Sequence, residues 1–310
     1  MKDRRGKVLV VGSANMDLVV RCERFPVPGE TIFGSAFAMF PGGKGANQAV
    51  CCAKLGGNVD FLGRMGKDVF CDRLCANMTR EGVCLDHLLI DQSEPTGTAL
   101  ITVDSTGQNE ILVVSGSNMK LCAKDVLDHR AAFADAAIVL LQLEIPLETV
   151  IQAATLAREH SAMVMLNPAP ACSLPESLFW MIDFITPNET EAEILTGIPV
   201  SDPESAERAA RVLLGRGVKN VVVTMGASGC LLVTPREKCL FPAHRVQAVD
   251  TTAAGDAFNG SLAYALADGQ ELEKSIHFAN AVAAYSVTKM GAQSSMPTKK
   301  DLEPFALNVL

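Results

Sequence analysis

The chain is short of positive charge. It has 27 Lys and Arg against 35 Asp and Glu over 310 residues, a formal net charge of −8. That balance argues against a nucleic-acid partner, because affinity for a phosphate backbone rests on a basic surface. No apolar run approaches the length needed to span a bilayer, and Met1-Lys2-Asp3-Arg4-Arg5-Gly6 passes into a strand-like run rather than a signal h-region. The expectation is a soluble, cytoplasmic protein with no membrane partner. Ten cysteines are present but no paired CxxC modules: Cys51 and Cys52 are adjacent, Cys71 and Cys75 stand one helical turn apart, and the others are scattered. This supports neither structural zinc nor a disulfide framework, and reads as reduced core thiols. A GxxxxGK[ST] phosphate loop is also missing.

What is present is a chain 48% hydrophobic, enough for a large α/β core. Short apolar runs at 7–11, 59–62, 137–141, 163–166, 184–185 and 220–224 read as buried strands. Between them, helical periodicity covers 45–55, 69–81, 147–160, 204–215, 256–267 and 272–288. The alternation predicts a mostly parallel sheet with helices on both faces, and 1–310 is read as one domain. Two stretches break the rhythm. Residues 17–22 with 31–40, and 98–104 with 110–114, read as hairpin strands without an intervening helix. They predict a small separate sheet, a lid over the carboxyl ends of the main strands, where open α/β sheets bind ligands.

The most informative stretch is Asp250-Thr251-Thr252-Ala253-Ala254-Gly255-Asp256, which leads small residues and a carboxylate into a helix. First-turn amides lack intrahelical acceptors and sit at the positive end of the macrodipole, so Ala253, Ala254 and Gly255 suit the approach of a phosphoryl anion. Asp256 would then stand beside the transferring phosphate; it reads about as well as an ordinary helix cap. After the first strand, Gly12-Ser13-Ala14-Asn15-Met16-Asp17 places Asn15 and Asp17 where their side chains can bond vicinal hydroxyls, suggesting a polyol or sugar. Pro41-Gly42-Gly43-Lys44-Gly45-Ala46-Asn47-Gln48 allows close backbone approach and offers Lys44 and Asn47, or is a plain turn. Asn188 and Glu191 lie three residues apart at a strand-to-helix junction, a spacing that taken alone favours a capping box and also fits hydrated Mg2+ beside phosphates. Thr224-Met225-Gly226-Ala227-Ser228-Gly229 reads as a phosphate or ribose loop, or a hairpin turn.

Taken in order, these segments resemble the ribokinase (PfkB-type) family of carbohydrate kinases. The resemblance also covers Gln142-Leu143-Glu144, Asn167-Pro168-Ala169-Pro170 and Gly291-Ala292-Gln293-Ser294-Ser295, and so spans nearly the whole chain. It implies an α/β/α sandwich with a β-sheet lid, drawn from about 17–40 and 98–114, that doubles as a homodimer contact. It implies ATP-dependent phosphorylation of D-ribose at O5, with ribose against Asn15, Asp17, Gly43, Lys44, Asn47 and Glu144. Asp256 becomes the general base, with the Ala253-Ala254-Gly255 backbone as anion hole. Asn188, Thr224, Gly226, Ser228, Gly229, Gly255 and Asn280 fall at ATP positions, and Asn188 with Glu191 at a water-mediated Mg2+ position. The family further implies a K+ site from Asp250, Thr252, Ser286, Lys289, Gly291 and Ser295, several through backbone carbonyls. One departure is Ala253, where many members carry glycine. Two alternatives remain: a 2-deoxyribose kinase of the same family, and a catalytically silent sugar-binding regulator, which would need none of the transfer machinery.

Overall fold

The computed structural model describes residues 6–309. Its strands are β1 (Lys7–Val11), β2 (Asn15–Arg21), β3 (Ala36–Gly42), β4 (Asn58–Gly66), β5 (Cys84–Asp91), β6 (Gly97–Val103), β7 (Asn109–Val114), β8 (Ile138–Leu141), β9 (Met163–Leu166), β10 (Phe184–Ile185), β11 (Asn220–Thr224), β12 (Cys230–Val233) and β13 (Lys238–Phe241). Nine form one sheet in the order β13-β12-β11-β10-β9-β8-β1-β4-β5. Neighbours from β5 to β11 run parallel, while β12 is antiparallel to both β11 and β13. Parallel strands covered on both faces need apolar side chains pointing both ways. Along β1 the alternation does this: Val8 and Val10 enter one core with Leu55, Phe61 and Leu262, and Leu9 and Val11 enter the other with Phe133, Leu141 and Val150. This is the expected α/β/α arrangement. The chain leaves β1 toward β4 on one side and returns to β8 on the other, so β1 marks the point where strand order reverses and ligands bind in such sheets.

The separate small sheet is present, in the order β3-β2-β6-β7. Both hairpin pairings occur, and a parallel pairing of β2 with β6 joins them, Asn15 opposite Gly97 through Arg21 opposite Val103. Residues 31–35 are not strand, a correction to the expected 31–40. Gly34 lies within that stretch, and a Cβ there would come 3.0 Å from Val20, so the chain closes on β2 before the ladder begins. Strands β5, β12 and β13 were not expected. In β5, the polar Asp86 and His87 interrupt the apolar run, and the strand is only partly buried. All six residues of β7 are exposed, including Ile111 and Leu112.

The predicted helices are found at Lys44–Lys54, Val69–Arg80, Leu147–Glu159, Pro203–Gly215, Ala254–Ala267 and Leu272–Ser286. The helix expected to start at 256 begins two residues earlier, because Ala253 takes the left-handed conformation at its cap. Helices Lys44–Lys54 and Ala254–Ala267 cross in close contact, and Gly260 sets their separation: a Cβ there would lie 2.5 Å from the Gln48 carbonyl oxygen and 2.8 Å from Cys51 Cβ. Gly260→Ala is therefore expected to force the pair apart and destabilise the fold by about 1–3 kcal/mol, as overpacking of a tight core does. Thermal or urea unfolding measures this, and an unchanged midpoint would show that the helices yield freely.

Candidate active site

The helix Ala254–Ala267 enters without a side-chain cap. Ala253 has φ 58°, a conformation that costs a residue with a Cβ about 1–2 kcal/mol and that glycine adopts freely. The turn is closed by Ala254 N–H donating to Thr251 O at 3.3 Å and Ala257 N–H to Ala253 O at 2.8 Å. The Gly255 and Asp256 amides belong to the first turn and have no intrahelical acceptor. Space is left in front of them, for a Cβ at Gly255 would meet nothing within 4 Å. Asp256 is inside the helix rather than at its cap, so the capping alternative falls away.

Instead the Asp256 side chain takes two amides from the neighbouring helix. Asn47 Nδ2 donates to Oδ2 and Gln48 Nε2 to Oδ1, both at 2.9 Å. Burial raises the Asp256 pKa from its ordinary value and the nearby Glu144 adds to this, while Lys44 and the two amides pull against it. Burial opposes the charge on Lys44 too, yet Asp256, Glu144 and Glu191 outweigh it and hold the ammonium above its usual pKa. The centre is thus one cation among several carboxylates.

Asn15 and Asp17 follow each other on one face of β2. The Asn15 carbonyl oxygen accepts from Asn118 Nδ2 at 2.7 Å, which leaves its own amide N–H groups to donate elsewhere. Glycines make room: a Cβ at Gly97 would lie 2.1 Å from Asn15 Oδ1, and one at Gly42 would lie 2.3 Å from Asp17 Oδ2. Glu144 Oε2 accepts from Ser13 Oγ at 2.6 Å and from the Lys44 amide at 3.1 Å, tying the β1 turn, the β8 exit and the helix start together. At Gly43, φ is 85° and a Cβ would press on Asn15 N at 2.6 Å. Asp17 is pushed up to about 7 by burial, then by Glu144 and Asp256.

On the other side of Asp256 a cleft of about 690 Å³ is lined by Lys44, Asn188, Glu191, Thr224, Gly226, Gly229, Gly255 and Asn280, among others. Ser228 is exposed and does not line it. Asn188 and Glu191 do form the capping box: Glu191 N–H donates to Asn188 Oδ1 at 2.8 Å, and Asn188 N–H to Glu191 Oε2 at 2.9 Å. The second Glu191 oxygen takes no part in the box, and burial raises this carboxyl's pKa against the pull of the Asn188 amide and Lys44. Gly229 has a packing reason as well, since a Cβ would strike Phe241 O at 2.0 Å. Asn280 Nδ2 is spent on the Phe241 and Pro242 carbonyls.

Of the six residues expected at a monovalent-cation site, three are in direct contact. Asp250 Oδ1 accepts from Thr252 N–H at 2.9 Å and Oδ2 from Gly291 N–H at 2.8 Å. Burial disfavours the Asp250 charge, but these bonds outweigh it and keep the pKa below the usual value. Ser286 and Ser295 donate within their own segments, to Ala283 O and Ala292 O. The Lys289 ammonium lies 5.7 Å from the Tyr285 ring centroid.

A carboxylate at an uncapped helix entrance, between a cluster of buried polar side chains and a large cleft, is a geometry suited to group transfer. The sequence signature of the pfkB family carbohydrate kinases matches residues 5–299. The chain belongs to that family. This carbohydrate kinase is 42% identical to the ribokinase of Haemophilus influenzae over 97% of its own length and 98% of the relative's. It is 39% identical to a deoxyribokinase of Salmonella typhi, over 94% and 95% of the two chains. Among solved structures, Arabidopsis thaliana ribokinase complexed with ribose and ATP superposes with a TM-score of 0.91 at 38% identity, covering 96% of the kinase and 97% of that chain.

Sequence reasoning did not single out Ser13, Gln48, Asn118, Asn167 or Gln293, all buried polar residues bonded into the kinase site. A signal existed for most: they stand inside or beside the motifs, but as amides and hydroxyls without chemistry of their own.

Two outcomes test this geometry. Gly255→Ala should fold at least as stably as the parent, because the Cβ meets open space and alanine favours a helix by about 1 kcal/mol over glycine. It should nonetheless lose phosphoryl-donor binding or turnover; an active variant would show that nothing approaches Gly255. For Asp17, a folded pKa of about 7 lies well above the value of about 4 in an unfolded chain. The folded state therefore loses stability as pH rises between these values. Asp17→Asn stays neutral, so its Tm advantage over wild type should widen from pH 5 to pH 8. A constant difference would remove the assigned ionisation.

Proposed function

We propose that this kinase transfers the γ-phosphoryl group of ATP to O5 of D-ribose, giving ribose 5-phosphate. The observation that carries the reading is Asp256, buried at the helix entrance and oriented by Asn47 and Gln48 between the sugar-side cluster and the cleft. Asp256 accepts the O5 proton as that oxygen attacks phosphorus and ADP leaves, and the Gly255 and Asp256 amides with Lys44 stabilise the anionic transition state, the Ala254 amide being held by Thr251 O. Asn15, Asp17, Gly43, Asn47 and Glu144 orient the sugar. Thr224, Gly226, Gly229 and Asn280, which line the cleft, are assigned to the nucleotide. Asn188 and Glu191 would hold Mg2+ through water, and the ion would neutralise phosphate charge. Asp250, Thr252, Ser286, Lys289, Gly291 and Ser295 are assigned to K+, which would order the adjoining turn. The solved relative complexed with ribose and ATP supports the choice of substrates.

The small sheet, 17–40 with 98–114, is assigned as a lid that excludes water, the competing acceptor. Its exposed apolar β7 edge supports pairing with a second copy. No helix among the described residues is long and apolar enough to cross a membrane. Ten free cysteines and a need for ATP support a cytoplasmic location.

A 2-deoxyribose kinase is the second reading, favoured by the deoxyribokinase relative. An assay over a sugar panel separates the two. Ribose should exceed 2-deoxyribose in kcat/KM by about five- to 150-fold, the effect of leaving one buried polar group without its hydroxyl. The reverse order would assign the deoxy sugar, and ribose binding without turnover of any pentose would revive the silent regulator. Asp256→Asn should lower kcat by about 10²-fold or more while ribose still binds. Near-normal kcat would sink the base assignment.

A further inference from the structure

The amide that Asn47 offers to Asp256 is itself held, and so is the group that holds it. Asn47 Nδ2 donates to Asp256 Oδ2 at 2.9 Å, and Asn47 Oδ1 accepts from Gln293 Nε2 at 3.1 Å. Gln293 Oε1 accepts in turn from Asn77 Nδ2 at 2.6 Å, and Asn77 Oδ1 accepts from the Arg80 guanidinium. Every donor in this chain points toward the carboxylate. An ionised carboxylate only accepts and a guanidinium only donates, so the two ends admit a single orientation of the three amides between them. Bonds aligned in this way also polarise one another, and both terminal bonds are charge-assisted. Gln293 and Asn47 are buried, at 4% and 5% exposure, while Asn77 is partly buried on the helix Val69–Arg80. Neither Gln293 nor Asn77 lines the cleft.

We propose that Gln293, backed by Asn77, is a positioning residue: it fixes the Asn47 amide with its N–H toward Asp256 and thereby orients the carboxylate for proton transfer. The proposal rests on Asp256 being the general base. A carboxamide is nearly symmetrical in shape, and packing alone barely distinguishes its two ends. Polarity must be imposed through hydrogen bonds, and here it is imposed from a helix on the far side of Asn47. If the relay turned over, the Asn47 carbonyl oxygen would face the Asp256 carboxylate, a contact of two acceptors that would displace the base or hold it protonated.

Replacing one NH2 group by oxygen tests the relay with almost no change of shape. Asn77→Asp cannot donate to Gln293 Oε1, so Gln293 and then Asn47 should turn over. Gln293→Glu does the same one link closer. With ribose, ATP and Mg2+, kcat should fall about five- to tenfold for Asn77→Asp, the effect of one misplaced buried hydrogen bond, and further for Gln293→Glu. KM for ATP should stay put in both. Gln293→Met cuts the relay, so adding Asn77→Asp on that background should cost nothing more. If Gln293→Glu fails to fold, Asn77→Asp carries the test from its partly exposed position.

Asp256→Asn is run alongside. Should it lose activity while Asn77→Asp and Gln293→Glu keep kcat within twofold, the relay is wrong and the base assignment stands. Should Asp256→Asn itself stay active, the base assignment fails and the relay's role with it. An undiminished loss from Asn77→Asp in the Gln293→Met background would also overturn the relay, since Asn77 would then act by another route.

Discussion

Asp256 is a carboxylate taken out of water in the company of other carboxylates, and most of the site can be understood as the means of tolerating that. An isolated charge at such a depth would shed its ionisation. Two amides bond its oxygens, Lys44 supplies a nearby positive charge, and the free end of a helix adds its dipole. The two amides must come within about 3 Å of the carboxylate, which obliges helices Lys44–Lys54 and Ala254–Ala267 to cross closely. Gly260 permits that crossing, and Gly43 lets the first helix begin directly against β2. Lys44 in turn owes its place to Glu144, which binds its backbone amide.

The large sheet was legible because buried parallel strands leave continuous apolar runs: β1, β9, β10 and β11 have the bounds that their runs suggest. β5 escaped because its polar residues break its run, and β13 because it is an edge strand with only Phe241 buried; β12 is apolar and buried throughout, but at four residues its run is too short to stand out. In the site, residues with distinctive chemistry were legible from their motifs. Asp256, Lys44 and Asn188 announce themselves by charge or by position at a strand end. Asn118 and Gln293 do not, since they act on Asn15 and Asn47 over separations of 103 and 246 residues that no local pattern encodes.

Several residues serve two demands at once. Asn188 and Glu191 cap a helix while facing the cleft, so the capping reading and the ligand reading are not exclusive. Gly229 clears a neighbouring carbonyl and also borders the cleft. Ala253 departs from economy, holding a methyl group where glycine would be relaxed. The bond from Ala257 to its carbonyl and the Asp250 contacts on the preceding loop keep the turn in place regardless.

β2 carries Asn15 and Asp17 at its first residues and continues as the spine of the small sheet to Arg21. Seven residues of strand span about 20 Å, so a tilt of ten degrees about the Asn15 end would carry the tip through roughly 3–4 Å and leave the pivot almost still. The spine has the proportions of a lever whose fulcrum is Asn15, the residue assigned above to the sugar. Movement at the rim then costs almost nothing in placement at Asn15, and Asp17, two residues along the arm, is carried through only about 1 Å by the same tilt.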